Sequence, residues 1–289
     1  MSAREASGLL SVVHPAVRHT AIVLLHGLCS TPDELLTVQS ALAARGHPVR
    51  PLRLRGYSFD AAAPLAQPTR YEQWLAAIAA EVQLLRRQHE RVVLVGLSAG
   101  ASLALGAAIR CGADQVDALV LMSTTLRFDG WAVPRTRMLL PLALHTPLGR
   151  LWQYRERAPY GVKNERVRAW IERELRHRKV SSAGSAVIGT GHLREHERLI
   201  RHVRRNLHRV QCGSVLALHA RDDEVASLAN LGLLARGLRG CRDFRSVVLA
   251  DSYHMITIDN DQRQVARETV AFADAVAHGL PPAMHLPPA

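Results

Sequence analysis

The sequence predicts an α/β protein: a mostly parallel central sheet flanked by helices, interrupted by a helical insertion. Three observations carry that expectation. Short continuous apolar runs alternate with helical segments, the pattern of strands buried on both faces of a parallel sheet. The alternation stops after Thr125 and resumes near residue 214, so the core comes in two pieces. With 289 residues, 48% of them hydrophobic, the chain is long enough to bury one sizeable core and carry a modest insertion.

Taken in order, TAIVLLHG (20–27) reads as a buried strand ending in a turn. Pro32 to Arg45 is helical in character, with apolar positions 35, 38, 42 and 43. HPVRPLRLRG (47–56) contains a strand that its two prolines weaken. Residues 70–89 form an amphipathic helix on which Trp74, Ile78, Val82 and Leu85 recur at helical spacing. RVVLVG (91–96) is a strand, ASLALGAAIRCG a helix ending near Gly112, and VDALVLMS (116–123) the next strand. The stretch 126–190 contains no convincing strand; a charged helix is expected at about 164–178, and a basic one at about 192–207. SVLALHA (214–220) and FRSVVLA (244–250) are strands, with helices expected at 225–237 and 261–277. The expected organisation is a core of 1–125 and 191–280, a helical cap at 126–190 and a flexible tail at 281–289, with room for one further strand in 8–19.

The formal charge of +12 is carried almost wholly by arginine, with lysine only at 163 and 179. Such a charge invites anionic partners. The arginines are scattered over most helices, however, and aromatic residues make up 4% of the chain, so no nucleic-acid partner is expected. Cys29, Cys111, Cys212 and Cys241 form no CxxC pair and read as small buried thiols rather than a disulfide framework. MSAREASGLLSVV lacks the apolar core of a signal peptide. The greasy run 138–152 is broken by two prolines, a histidine and an arginine, too short and interrupted to span a bilayer. A cytoplasmic location is the default expectation. A small homodimer is compatible with the sequence, and nothing in it selects one.

VVLVGLSAG (92–100) carries the chemistry. G-x-S-x-G between a strand and a helix is the context of a nucleophile on a sharp turn. The competing reading is a serine that caps the following helix. Gly96, Ala99 and Gly100 supply the small neighbours that such a turn needs. A serine nucleophile requires a base and the base an orienting acid. Strand 214–220 runs into RDDEV and strand 244–250 into DSYHMI, which brings Asp222, Asp223 and His254 to the strand ends where sites of such sheets lie. Asp222 and Asp223 compete for the acid's place. Asp251 reads as a loop acid. The oxyanion of the transition state needs fixed donors: the N–H of Ala99, and that of Leu28 in the loop after the first strand. His26 reads as a brace for that loop.

With HGL at 26–28, GLSAG at 96–100, HARDDEV at 219–225 and SYHMITID at 252–259, the chain resembles the α/β-hydrolases, and within them the bacterial carboxylesterase and monoacylglycerol-lipase-like branch. The resemblance covers roughly 20–125 and 210–277. It implies Asp223 rather than Asp222 as the acid, through D-E-V, and Leu28 as the second oxyanion donor. It also implies that 126–190 is a cap over an acyl pocket. The expected activity is that of a serine carboxylic-ester hydrolase with the catalytic residues Ser98, Asp223 and His254 and the oxyanion donors Leu28 and Ala99, needing no cofactor and no metal. The run 138–152 is a candidate acyl-binding wall, which would favour medium or long chains; ordinary cap packing accounts for it equally well. A thioesterase or acyltransferase acting on a carrier-bound or CoA-linked acyl group is the alternative. The basic cap residues Arg150, Arg155, Arg157, Lys163, Arg166 and Arg168 are its motivation.

Overall fold

A computed structural model describes residues 15–60, 62, 67–134, 146, 153–155, 157–178, 180–181, 184–185 and 187–280. Along the chain come α1 (Pro15–Arg18), β1 (Thr20–Leu25), a 3-10 turn (Pro32–Leu35) running into α2 (Leu36–Ala44), and β2 (Val49–Pro51). They are followed by α3 (Tyr71–Arg86), β3 (Arg91–Leu97), α4 (Ala99–Cys111) and β4 (Ala118–Met122). Next are β5 (Gln153–Arg155), α5 (Glu165–Arg178), β6 (Val180–Ser181), β7 (Gly184–Ser185), β8 (Val187–Gly189) and α6 (Thr190–Asn206). The chain continues through β9 (Ser214–Ala220), α7 (Ala229–Gly237), β10 (Asp243–Leu249) and α8 (Gln262–Ala277).

Six strands form one sheet in the order β10-β9-β4-β3-β1-β2, and every neighbouring pair in it is parallel. The continuous apolar runs follow from burial on both faces. In β1, Ala21, Val23 and Leu25 join one core while Ile22 and Leu24 join the other. In β3, Val92 and Leu94 face the first core, and Val93, Val95 and Leu97 the second. Successive side chains of a strand point to opposite faces, so an alternating pattern never arises where both faces are covered. The first core is closed by Trp74, Ile78, Val82 and Leu85 of α3 and by Leu199 and Val203 of α6. The second is closed by Val38 and Leu42 of α2 and by Val265 and Phe272 of α8. Helix α4 is buried from Ala99 through Ile109; its alanines and glycines let neighbouring elements approach from nearly all sides.

Two expectations change. The stretch 126–190 does contain strands: β5 pairs antiparallel with β8, joining Gln153 to Gly189, and β6 pairs with β7. These pieces of two or three residues are too short to show a period, and the first pairing links distant positions. The helix expected from 225 begins at Ala229, because the Asp223 carboxylate takes the amides of Val225 and Ala226 and holds a turn there. Apart from Thr146, the run 138–152 lies outside the described residues, as do Arg150, residues 8–14 and the tail 281–289; the described residues 15–18 are helical. Among the described residues, no helix is long and apolar enough to cross a membrane.

Candidate active site

Because the sheet is parallel, β1, β3, β9 and β10 deliver the loops that follow them to one edge. Ser98 sits between β3 and α4 at φ 56° and ψ −116°, a left-handed region that costs a non-glycine residue energy. The surrounding glycines make this turn sterically feasible. A Cβ on Gly100 would lie 2.0 Å from the Leu25 carbonyl oxygen, and one on Gly96 would lie 2.3 Å from that of Gly100.

Ser98 Oγ lies 2.8 Å from His254 Nε2. On the other side of the ring, Nδ1 lies 2.8 and 3.0 Å from the two carboxylate oxygens of Asp223. With Nδ1–H donating to the carboxylate, Nε2 is left to accept from the serine hydroxyl. Asp223 is 3% exposed. Burial opposes its charge, but the neighbouring His254 and the bonds it accepts outweigh that penalty and hold its carboxyl below the usual range. Asp222 turns outward to Lys163 Nζ at 3.4 Å. Asp251 meets the same ammonium at 3.3 Å. Of the three acids singled out in these loops, Asp223 is the one in contact with the imidazole.

The loop after β1 is tightly held. Its Gly27 amide donates to Glu34 Oε2 at 2.7 Å, and the Cys29 amide to the Tyr57 carbonyl at 3.1 Å. His26 donates from Nδ1 to the Gly27 carbonyl and accepts the Ser58 hydroxyl at Nε2, both at 2.7 Å. Burial lowers its pKa to about 4, so the ring is neutral at neutral pH and both nitrogens serve the loop. Among the described residues, neither the Leu28 nor the Ala99 amide donates to a protein group; for Ala99 this follows from its place at the start of α4. Both N–H groups are thus left without a protein acceptor, and that of Ala99 directly follows Ser98.

Several supporting residues escaped the sequence reading. Glu34 is buried, and burial pushes its pKa up to about 7 although Gly27 donates to it. Glu224 is buried and accepts the His254 amide at 3.0 Å. Fully buried Asp259 accepts the amides of Lys163, Asn164, Tyr253 and Asn260 at 2.7–2.9 Å, so one carboxylate ties the His254 loop to the start of α5. Asp259 lies inside the quoted SYHMITID stretch, which was the available signal. Glu34 reads locally as an ordinary acid at a helix start.

A profile of the alpha/beta hydrolase family matches residues 22–268. The chain is 24% identical to a thermostable monoacylglycerol lipase of Bacillus sp. (strain H-257), over 87% of this chain and 89% of that protein. A solved chain of the metagenome-derived lipolytic enzymes LipS and LipT superposes with a TM-score of 0.70 at 20% identity, covering 91% of this chain and 99% of that one. The monoacylglycerol lipase of Paleococcus ferrophilus gives 0.68 at 18% identity, covering 89% and 93%. At such identities the solved structures show a shared fold, while the profile spans most of the sequence, including the four motif-bearing loops. The chain is a hydrolytic enzyme and belongs to the alpha/beta hydrolase family.

Proposed function

We propose that the protein cleaves carboxylic esters through an acyl-enzyme, with Ser98 as nucleophile, His254 as general base and acid, and Asp223 orienting the imidazole. The observation that carries this reading is the unbroken contact chain Ser98 Oγ–His254–Asp223, with separations of 2.8 Å at each step. As Ser98 Oγ attacks the ester carbonyl, its proton passes to His254 Nε2, and Asp223 stabilises the resulting imidazolium. The amides of Leu28 and Ala99 hold the oxyanion. His254 Nε2 then protonates the leaving alcohol. Water repeats the sequence on the acyl group and frees the serine.

The segment 126–190 serves as a cap over this site, anchored where Asp259 binds the amides before α5. The substrate class proposed is medium- or long-chain acyl esters, including monoacylglycerol-like lipids. Its support is the likeness to lipolytic relatives. Two of the cap cations that could meet an anionic leaving group are already engaged: Lys163 with Asp222 and Asp251, and Arg168 with the carbonyls of Val162 and Lys163.

The test is a turnover panel of p-nitrophenyl esters and acyl-CoA thioesters with matched acyl chains of graded length, together with a monoacylglycerol. Hydrolysis of the esters is expected, with kcat/KM rising from acetyl to medium chains and exceeding that of the matched thioesters. Preference for the thioesters would replace the ester reading with a thioesterase. A maximum at acetyl would remove the long-chain assignment.

A further inference from the structure

Cys212 and Cys241 lie 29 residues apart in sequence, yet their Sγ atoms are 3.2 Å apart. The sheet explains the meeting. Asp243 of β10 stands alongside Ser214 of β9, and two residues back along each chain are Cys241 and Cys212. The Asp243 amide donates to the Gly213 carbonyl at 3.1 Å, and the Arg242 amide to the Cys212 carbonyl at 3.4 Å, so the two chains already run bonded side by side where the strands begin. We propose that Cys212 and Cys241 form an oxidative modification site, closed to a disulfide by hydrogen peroxide.

The two thiols are unequal. Cys241 is half-buried and Cys212 buried. Peroxide from solvent therefore meets Cys241 before Cys212, and the Cys212 sulfur at 3.2 Å stands ready behind it. Cys241 Sγ, as the accessible thiol, is the nucleophile in its thiolate form. It attacks one peroxide oxygen; the O–O bond breaks, the departing hydroxide takes a proton to become water, and Cys241 becomes a sulfenic acid. Cys212 Sγ then attacks the Cys241 sulfur and the S–O bond breaks. The hydroxide released leaves as water with the Cys212 proton. Two thiols are oxidised by two electrons, and one peroxide is reduced to two waters.

The other cysteines lack this arrangement. Cys29 is buried and its pKa is pushed up to about 12. Burial also raises Cys111, and among the described residues no thiol stands beside it. The bond would join β9 to the edge strand β10 at the ends opposite those that lead to Asp223 and His254. Turnover is therefore expected to be unaffected, while the closed loop constrains the unfolded chain.

The experiment treats the full chain with hydrogen peroxide, alkylates the remaining thiols after denaturation and maps linked peptides by mass. Of the four cysteines, two are expected to stay alkylatable. One dithiothreitol-reversible link should join Cys212 to Cys241, with a melting temperature raised by about 5 °C and ester turnover within twofold. Cys212→Ser and Cys241→Ser should each lack the link, and the wild-type peptide map stands whether or not those variants fold. Four alkylatable thiols after oxidation, a link through Cys29 or Cys111, or a lowered melting temperature would overturn the proposal.

Discussion

Asp222 and Asp223 are neighbours of the same chemistry, and burial separates them. The Asp222 side chain is 48% exposed and faces a lysine; that of Asp223 is fully buried against His254. A conservative substitution should therefore have very different effects at the two positions. Asp223→Asn is expected to lower kcat by about 10⁴-fold, because an amide no longer favours the required imidazole tautomer. Asp222→Asn should stay within about threefold. Equal losses in steady-state kinetics would mean that the acid has been misassigned.

Buried histidines give a second residue-scale expectation. His26 and His196 are lowered by burial from 6.5 to about 4. Between those values the unfolded chain binds protons that the folded chain refuses. Each histidine therefore contributes stability that is complete above 6.5 and lost as pH falls towards 4, on the order of 3 kcal/mol apiece. Glu34, raised from 4.5 to about 7, acts oppositely: its contribution is complete below 4.5 and lost as pH rises through 7. Two histidines outweigh one carboxyl, so the melting temperature should fall on acidification from pH 6.5 to 4.5. His196 packs on Phe128, and its Nε2 has no hydrogen-bond partner among the described residues. His196→Leu should flatten that fall; an unchanged slope in thermal melts across this range would refute the assignment.

At the scale of elements, the turns between strand and helix decide whether the site forms. Gly100, in the first turn of α4, and Gly112, just past its end, matter for different reasons. A Cβ at Gly100 would strike the Leu25 carbonyl oxygen at 2.0 Å, whereas one at Gly112 would meet no atom of the described residues within 4 Å, leaving only the cost of φ +80°. Gly112→Ala should cost about 1–3 kcal/mol and spare activity. Gly100→Ala should separate β1 from α4, with activity falling more than tenfold and the melting temperature dropping well below that of Gly112→Ala. Comparable melts and rates for the two variants would contradict this view of the turn. The strand–turn–helix around Ser98 was legible because its pattern is local and its glycines are fixed by close approach. The short strands β5–β8 were not legible, since pairing between Gln153 and Gly189 leaves no local periodicity. Asp259 was visible as a letter in a motif but not as the acceptor of four amides, because three of its donors come from other turns of the chain.

At the scale of the molecule, distant segments converge because the sheet is parallel. Positions 28, 98, 223 and 254 follow four strands that all end at one edge, and the order β10-β9-β4-β3-β1-β2 draws those strands together. The sequence pattern indicated the core and the candidate residues through burial on two faces and residue types at strand ends. It did not indicate the supporting acids Glu34 and Glu224, whose roles arise only from packing. The most direct test of the central proposal is covalent labelling by a fluorophosphonate, which requires an activated serine. Folded wild-type protein is expected to take up one probe per chain, at Ser98 by peptide mapping, and Ser98→Ala to take up none. A folded wild-type chain that does not label, or a label on another residue, would contradict the proposal.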